Sequence, residues 1–458
     1  MKSRTKAKSV KPNPISISSS QLKGTKWLFF AFCCYLLSQS FTVPILPIGP
    51  WAIWPGFSDF AFLLILFTFI RERRYTTRLS IPNQRIFSIL IIIFLGCIQS
   101  YLYYLASADL NANGGPFGAF QIYRLAEYFG LFWLIARIPL TPARLQVMRR
   151  IVDGVLIFVC LGVFLTYAGV IPLALITAHL PKVGAWQFYE GVGKLGTKGL
   201  GFVGYNHAYV AAQVMMLLIL RLYLGTNQKK DLSNTILLII STLTVFISES
   251  RSGFGSIIFL LSIYLISKPI YALCIVNIAG ILPVLASALE LQPIEANSVE
   301  GSITDRQLTL FQPNKAENLS GRDELWAAHL TALDENPVNW FVGKGFGSAI
   351  DRGDNAHMLY LQITSETGLI GLCIFSILFS IILFYLNKIE IKEKPFFWGT
   401  VTFLITAFSQ ETFYPQPALG QFLGLYLSSV AIVLRTPYFV EDSLTNSKGL
   451  SEKYEQPK

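Results

Sequence analysis

From residue 27 onward, long apolar runs alternate with short polar breaks almost to the C-terminus. An apolar run of about 20 residues is what a helix needs to cross the hydrocarbon core of a bilayer. Twelve such helices are predicted, near 27–46, 56–70, 86–106, 119–136, 151–171, 202–224, 234–250, 253–267, 270–289, 358–385, 396–412 and 419–435. The second and eighth are short for a full crossing. The first run begins at Trp27 and ends near Pro44, Pro47 and Pro50, with no small-x-small cleavage pattern after it. It therefore reads as a first membrane helix and not as a removed signal peptide.

The polar breaks divide the chain further. Residues 1–26 form a basic, Ser- and Pro-containing tail, expected to be disordered, and residues 436–458 form a second polar tail. Helices one to nine occupy 27–289, and helices ten to twelve occupy 358–435. Two breaks are long: 172–201, rich in Gly, Trp and Tyr, and 290–357, which holds most of the acidic residues outside the helices. The expected fold class is all-α: a polytopic membrane protein whose longest loop carries short helices.

Composition agrees and charge adds an orientation. Hydrophobic residues make up 53% of the 458 and charged residues only 14%, with mean hydropathy +0.50; soluble domains carry about 25% charged residues. The net charge of +10 does not point to nucleic acid, because no basic stripe interleaved with aromatics lies outside the helices. Instead, 27 of the 37 basic residues fall on the N-terminal side of the alternating helices and nine on the other, with Arg124 inside a helix. Since Lys and Arg collect in cytoplasmic loops, the N- and C-termini are both placed inside, and both long loops outside. All four histidines (His179, His207, His329, His357) then lie at or beyond the external face. The six cysteines all sit in apolar spans, so there is no disulfide framework to read.

Three blocks have residues fit for chemistry. Ser250-Arg251-Ser252-Gly253 lies between two closely spaced helices. A charged Arg at a bilayer boundary needs a partner or a function: either it snorkels and pairs with Glu249, or its fork binds a phosphate. Ser320-Gly321-Arg322-Asp323-Glu324-Leu325-Trp326 opens an amphipathic stretch to about Leu333, with Ser320 as N-cap. A solvated helix face accounts for its charges as well as a ligand does, with Trp326, Leu330 and Leu333 packed on the membrane surface. Gly343-Lys344-Gly345-Phe346-Gly347 then reads as a flexible turn without the spacing of a nucleotide P-loop. Asp354-Asn355-Ala356-His357 leads directly into the tenth helix, followed by Tyr360-Leu361-Gln362 and Glu366-Thr367-Gly368. No His, Cys and carboxylate cluster has metal-ligand spacing. Within the spans, Arg124 and Glu127 are three apart and expected to satisfy each other, whereas His207 and Glu411 either line the external site or bond between helices.

Taken as a set and in this order, the three blocks resemble the O-antigen ligase and polymerase superfamily of bacterial membrane glycosyltransferases. The similarity spans roughly residues 200–385; one departure is Met358 after the His, where such proteins usually carry Asn, with Asn355 two residues before. The resemblance implies a class C glycosyltransferase-like fold in the bacterial inner membrane with its site facing the periplasm. It implies a metal-independent, inverting transfer, without cofactor, from a polyprenyl (undecaprenyl) diphosphate-linked glycan to a hydroxyl of a glycan or lipid-linked acceptor. Carried over residue by residue, Arg251 and Arg322 bind the diphosphate and His357 is the general base. Lys344 is a secondary phosphate contact, and Asn355 and Tyr360 are substrate-binding. The residue types fit that chemistry: two guanidinium groups can take up the charge of a diphosphate leaving group, and an imidazole titrating near pH 6.5 can accept a hydroxyl proton. The lipid tail would run between helices, and the 290–357 loop would cover the site.

Two other classes compete. A solute transporter also has an even number of crossings, but its site usually lies at the bilayer midplane between repeated halves, and no repeat is evident here. An assembly protein with a degenerate site is the third reading, kept open by Met358.

Overall fold

The computed structural model describes residues 18–45, 55–107, 114–172, 175, 200–203, 207–225, 232–266, 322–353, 355–390, 394–415 and 422–435. Among these residues there is no strand. The helices are α1 (Lys26–Ser38), α2 (Phe57–Glu72), α3 (Ile81–Ser107), α4 (Gly114–Ile135), α5 (Pro142–Tyr167), α6 (His207–Gly225), α7 (Leu232–Ile247) and α8 (Arg251–Ile266). After them come two loop helices, α9 (Arg322–Asp334) and α10 (Pro337–Val342), then α11 (Leu359–Ile389), α12 (Pro395–Thr406) and α13 (Phe422–Val433). Eleven predicted spans fall on described helices, and the ninth, 270–289, lies outside the described residues. The predicted tail also contains order: Ser19–Gly24 is a short helix closed by a Ser18/Gln21 capping box.

Among the described residues, four helices, α3, α5, α6 and α11, are long and apolar enough to cross a membrane. Others are shorter than their apolar runs suggested. The run at 396–412 is helical only to Thr406, and the run at 27–46 only to Ser38.

Local chemistry sets several of these limits. Thr141 caps α5 by accepting from Arg144 N (3.3 Å), with Pro142 in the first turn, where no backbone donor is needed. Asn336 and Pro337 begin α10 in the same way, Asn336 Oδ1 accepting from Val338 N at 3.0 Å. The α12 start is held by Glu390, whose carboxylate accepts from Phe396 N (3.0 Å) and Phe397 N (2.7 Å).

The helix α6 is the axis of the bundle. It packs on α5, α7, α8, α12 and α13, and 89% of its apolar window is buried. A second layer, α4 with α3 and α13, joins α11 through α3. Buried polar groups tie the layers. Arg124 on α4 donates to Asp59 of α2 and to Glu127, both at 2.6 Å, so the expected Arg124–Glu127 pair is a triad. Arg221 of α6 pairs with Asp153 of α5, and Gln213 of α6 donates to Gln39 at 3.2 Å. In an apolar surround each such bond replaces an unsatisfied group, which fixes helix register.

Candidate active site

At one end of the bundle, α11 breaks. Gly368 has φ 71° and ψ −176° inside the helix, and a Cβ there would overlap the backbone of Phe341 in α10. Only glycine tolerates both that conformation and that approach. The Gly-rich turn fills the break: Lys344 N donates to Ser365 O (2.8 Å) and Gly345 N to Glu366 O (3.1 Å). Gly343, Gly345 and Gly347 all have positive φ and press against Glu366, α3 and α4 respectively. The turn expected to be flexible is thus a packed clasp, and its glycines serve close backbone contact. Glu366 locks it, accepting from Gly347 N (3.1 Å) and Ala349 N (3.4 Å) and bonding Tyr414 Oη.

The loop helix α9 lies over this clasp. His329 is fully buried, with Nδ1 3.0 Å from Ser365 Oγ and accepting from Arg352 Nε at 3.3 Å. Burial lowers the pKa of the Arg352 guanidinium, opposed by the charges of Glu366, Asp351 and Glu335. This knot fastens α9 to α11 and leaves Arg322, two turns earlier on the same helix face, over the start of α11. Leu333 is buried beneath α9, while Leu330 stays 41% exposed, so only part of the expected apolar face packs. Ser320, the expected cap of α9, lies outside the described residues.

His357 sits in the turn between this knot and α11. Its φ is 49°, a left-handed value that costs a non-glycine residue about 1–3 kcal/mol and concentrates at functional sites. The neighbouring backbone is held on both sides: Ala356 O accepts from Trp326 Nε1 at 2.7 Å, and Ala356 N donates to Gln362 Oε1 at 2.7 Å. The turn is further fixed by Leu359 N donating to Ala407 O (2.9 Å) and by Tyr360 Oη donating to Leu404 O (2.7 Å).

The segment that ends α12 early faces this turn. His357 Nδ1 lies 3.0 and 3.3 Å from the two carboxylate oxygens of Glu411, and Arg322 Nη1 donates to Ser409 O at 2.8 Å. Glu411 is 2% exposed and His357 31%. Burial pushes the Glu411 pKa up, but the His357 charge and hydrogen bond, with Arg322, outweigh it and hold the carboxyl below its usual range. Burial lowers the Arg322 pKa, and Glu411 opposes it. An ionised Glu411 fixes the proton on Nδ1, so neutral His357 has its lone pair on Nε2.

The structure therefore brings Arg322, His357 and Glu411 together, with Asn355 buried two residues from the histidine. Arg251 opens α8, which packs on α12 and α6; Ser250 Oγ caps it from Gly253 N (3.1 Å), and a Cβ on Gly253 would overlap Ala211 of α6. Lys344 instead pairs with Glu335 at 2.5 Å, on the clasp. Tyr360 spends its hydroxyl on α12, and its ring packs tilted against Phe408 with centroids 4.6 Å apart. Asp354 lies outside the described residues. Glu411 was legible only as a membrane-boundary carboxylate; its partnership with His357 spans 54 residues and has no sequence spacing to betray it.

Residues 236–376, from α7 past the break in α11, match the family model described as O-antigen ligase. That stretch is similar to the O-antigen ligase family. No curated protein matches the chain. The matched stretch contains Arg251, Arg322 and His357, while Glu411 comes from beyond it.

Proposed function

We propose that this protein transfers a glycan from a polyprenyl-diphosphate donor to an acceptor hydroxyl at the periplasmic face of the bacterial inner membrane, as an O-antigen ligase. The observation that carries the reading is the buried Glu411 carboxylate behind His357, beside the Arg322 guanidinium. In the proposed step the acceptor oxygen attacks the anomeric carbon from the face opposite the diphosphate. Its proton passes to His357 Nε2 as the C–O bond to the diphosphate breaks, and the anomeric centre inverts. Glu411 stabilises the resulting imidazolium, while Arg322 and Arg251 take up the charge on the departing diphosphate.

The same chemistry serves a polymerase if the acceptor is a growing chain. Envelope glycans of a deletion strain separate the two. Free polymer unattached to its acceptor is expected for the ligase, and loss of long chains with single units retained would make it a polymerase. Unchanged surface glycans would overturn both, and donor retained on the cytoplasmic side would favour a transporter.

A further inference from the structure

A cavity of about 460 Å³ lies between α3 and α11, within the 300–1,000 Å³ range of small-molecule sites. Its inner wall is apolar and deep: Cys97, Leu125, Phe129 and Leu378 are each at most 7% exposed. Its rim is apolar too, with Ile92 52% and Ile370 54% exposed. Both long helices face outward, only 17% and 28% of their apolar windows being buried. The opening therefore meets the lipid surface. Polar lining residues gather at the end where the Gly-rich clasp sits: Gln99, Ser100, Tyr103, Glu366 and Thr367. One end suits a headgroup region and the rest suits hydrocarbon.

The cavity is separate from the active site. None of His357, Arg322, Arg251 or Glu411 lines it; Glu366, Phe413 and Tyr414 form the wall on that side. The Glu366 carboxylate in this wall is already held by Tyr414 and the 347–349 backbone, so the wall is braced and not poised to bind an ion. A glycine keeps the cavity open: Gly96 lines it, and a Cβ there would meet nothing within 4 Å.

We propose that this cavity is a binding site for one acyl chain of a bilayer phospholipid, distinct from the site of the glycan donor. The proposal does not depend on the transfer reading. An empty apolar cavity facing lipid loses the dispersion contacts of its lining, and a chain inserted from the bilayer restores them. A phospholipid chain matches the geometry because its headgroup would stay at the polar end by the Gly-rich clasp while the chain runs along the apolar wall.

The test uses the full-length protein in nanodiscs of phosphatidylethanolamine and phosphatidylglycerol. A trace of phosphatidylglycerol carries a diazirine at mid-chain, and adducts are mapped by peptide mass spectrometry after illumination. Adducts on Leu125 and Phe129, which the annular lipid reaches only through the cavity, are expected in the wild type. Unlabelled phosphatidylglycerol should compete them away and a polyprenyl phosphate should not. Gly96→Trp, which fills the space, should reduce them about tenfold, the scale of losing a few buried methylene contacts. Gly154→Trp, another position where a Cβ meets nothing within 4 Å, should leave them unchanged. Adducts confined to Ile92 and Ile370 in the wild type would overturn the proposal whether or not the variants fold. So would undiminished inner-wall adducts in folded Gly96→Trp, or displacement by the polyprenyl phosphate alone.

Discussion

Glu411 determines what His357 can do. A buried carboxylate 3.0 Å from Nδ1 orients the ring and selects its tautomer, and in the proposed step it would stabilise the imidazolium. Its folded pKa lies below the unfolded value of about 4.3. Its charge therefore contributes stability that is present above the unfolded pKa and is lost as pH falls through the folded one. For Glu411→Gln, the melting-temperature deficit against wild type should be widest near neutral pH and shrink in acid. A deficit that grew on acidification would mean the carboxylate is not held ionised. The histidine itself was legible in the sequence as an external His at the mouth of a helix. Its partner was not, because pattern reading assigned residue 411 to the apolar run that ends at 412. The chain instead leaves the helix at Thr406, and that early exit is what supplies Ser409 and Glu411 to the site.

Among the elements, the break in α11 matters most. The sequence predicts one continuous helix over 358–385, and hydropathy alone gives no reason to interrupt it. The interruption follows from a tertiary fit: Gly368 adopts φ 71° so that α10 and the 343–347 turn can lie against its backbone. The glycines were visible as a motif, but their purpose is intelligible only from the opposite wall of the contact. Gly368→Ala should therefore destabilise the protein by more than 2 kcal/mol, roughly the strain of a left-handed residue added to a steric overlap. Gly154→Ala, where nothing lies within 4 Å, should not destabilise it. Intrinsic-fluorescence melting in detergent measures both. Equal melting temperatures for wild type and Gly368→Ala would contradict the clasp.

At the scale of the whole molecule, the asymmetry of the polar groups is informative. The apolar pattern predicted a helical bundle, and eleven of its spans fall on described helices. What it could not distinguish is which helix is central. The α6 and α3 runs look alike in hydropathy, yet α6 is enclosed on all sides and α3 faces outward, because interior position depends on partners far away in sequence. The charge count predicts His357 and the candidate arginines on the external side, and in the structure Arg322, His357 and Glu411 lie together with Ser409. Lys344, placed with them by motif proximity, is instead engaged by Glu335.

Glycan transfer is the proposed activity of the cluster formed by Arg322, His357 and Glu411. It is tested most directly in proteoliposomes containing a labelled polyprenyl-diphosphate glycan and its acceptor, assayed in the presence of EDTA. Wild type should form covalent product. His357→Ala should lose about 10²–10⁴-fold in rate, the range of a general base, and Arg322→Ala about 10²–10³-fold, the range of one charge-stabilising group. Full activity in both folded variants, or label accumulating inside the vesicles without covalent transfer, would rule out transfer by this cluster.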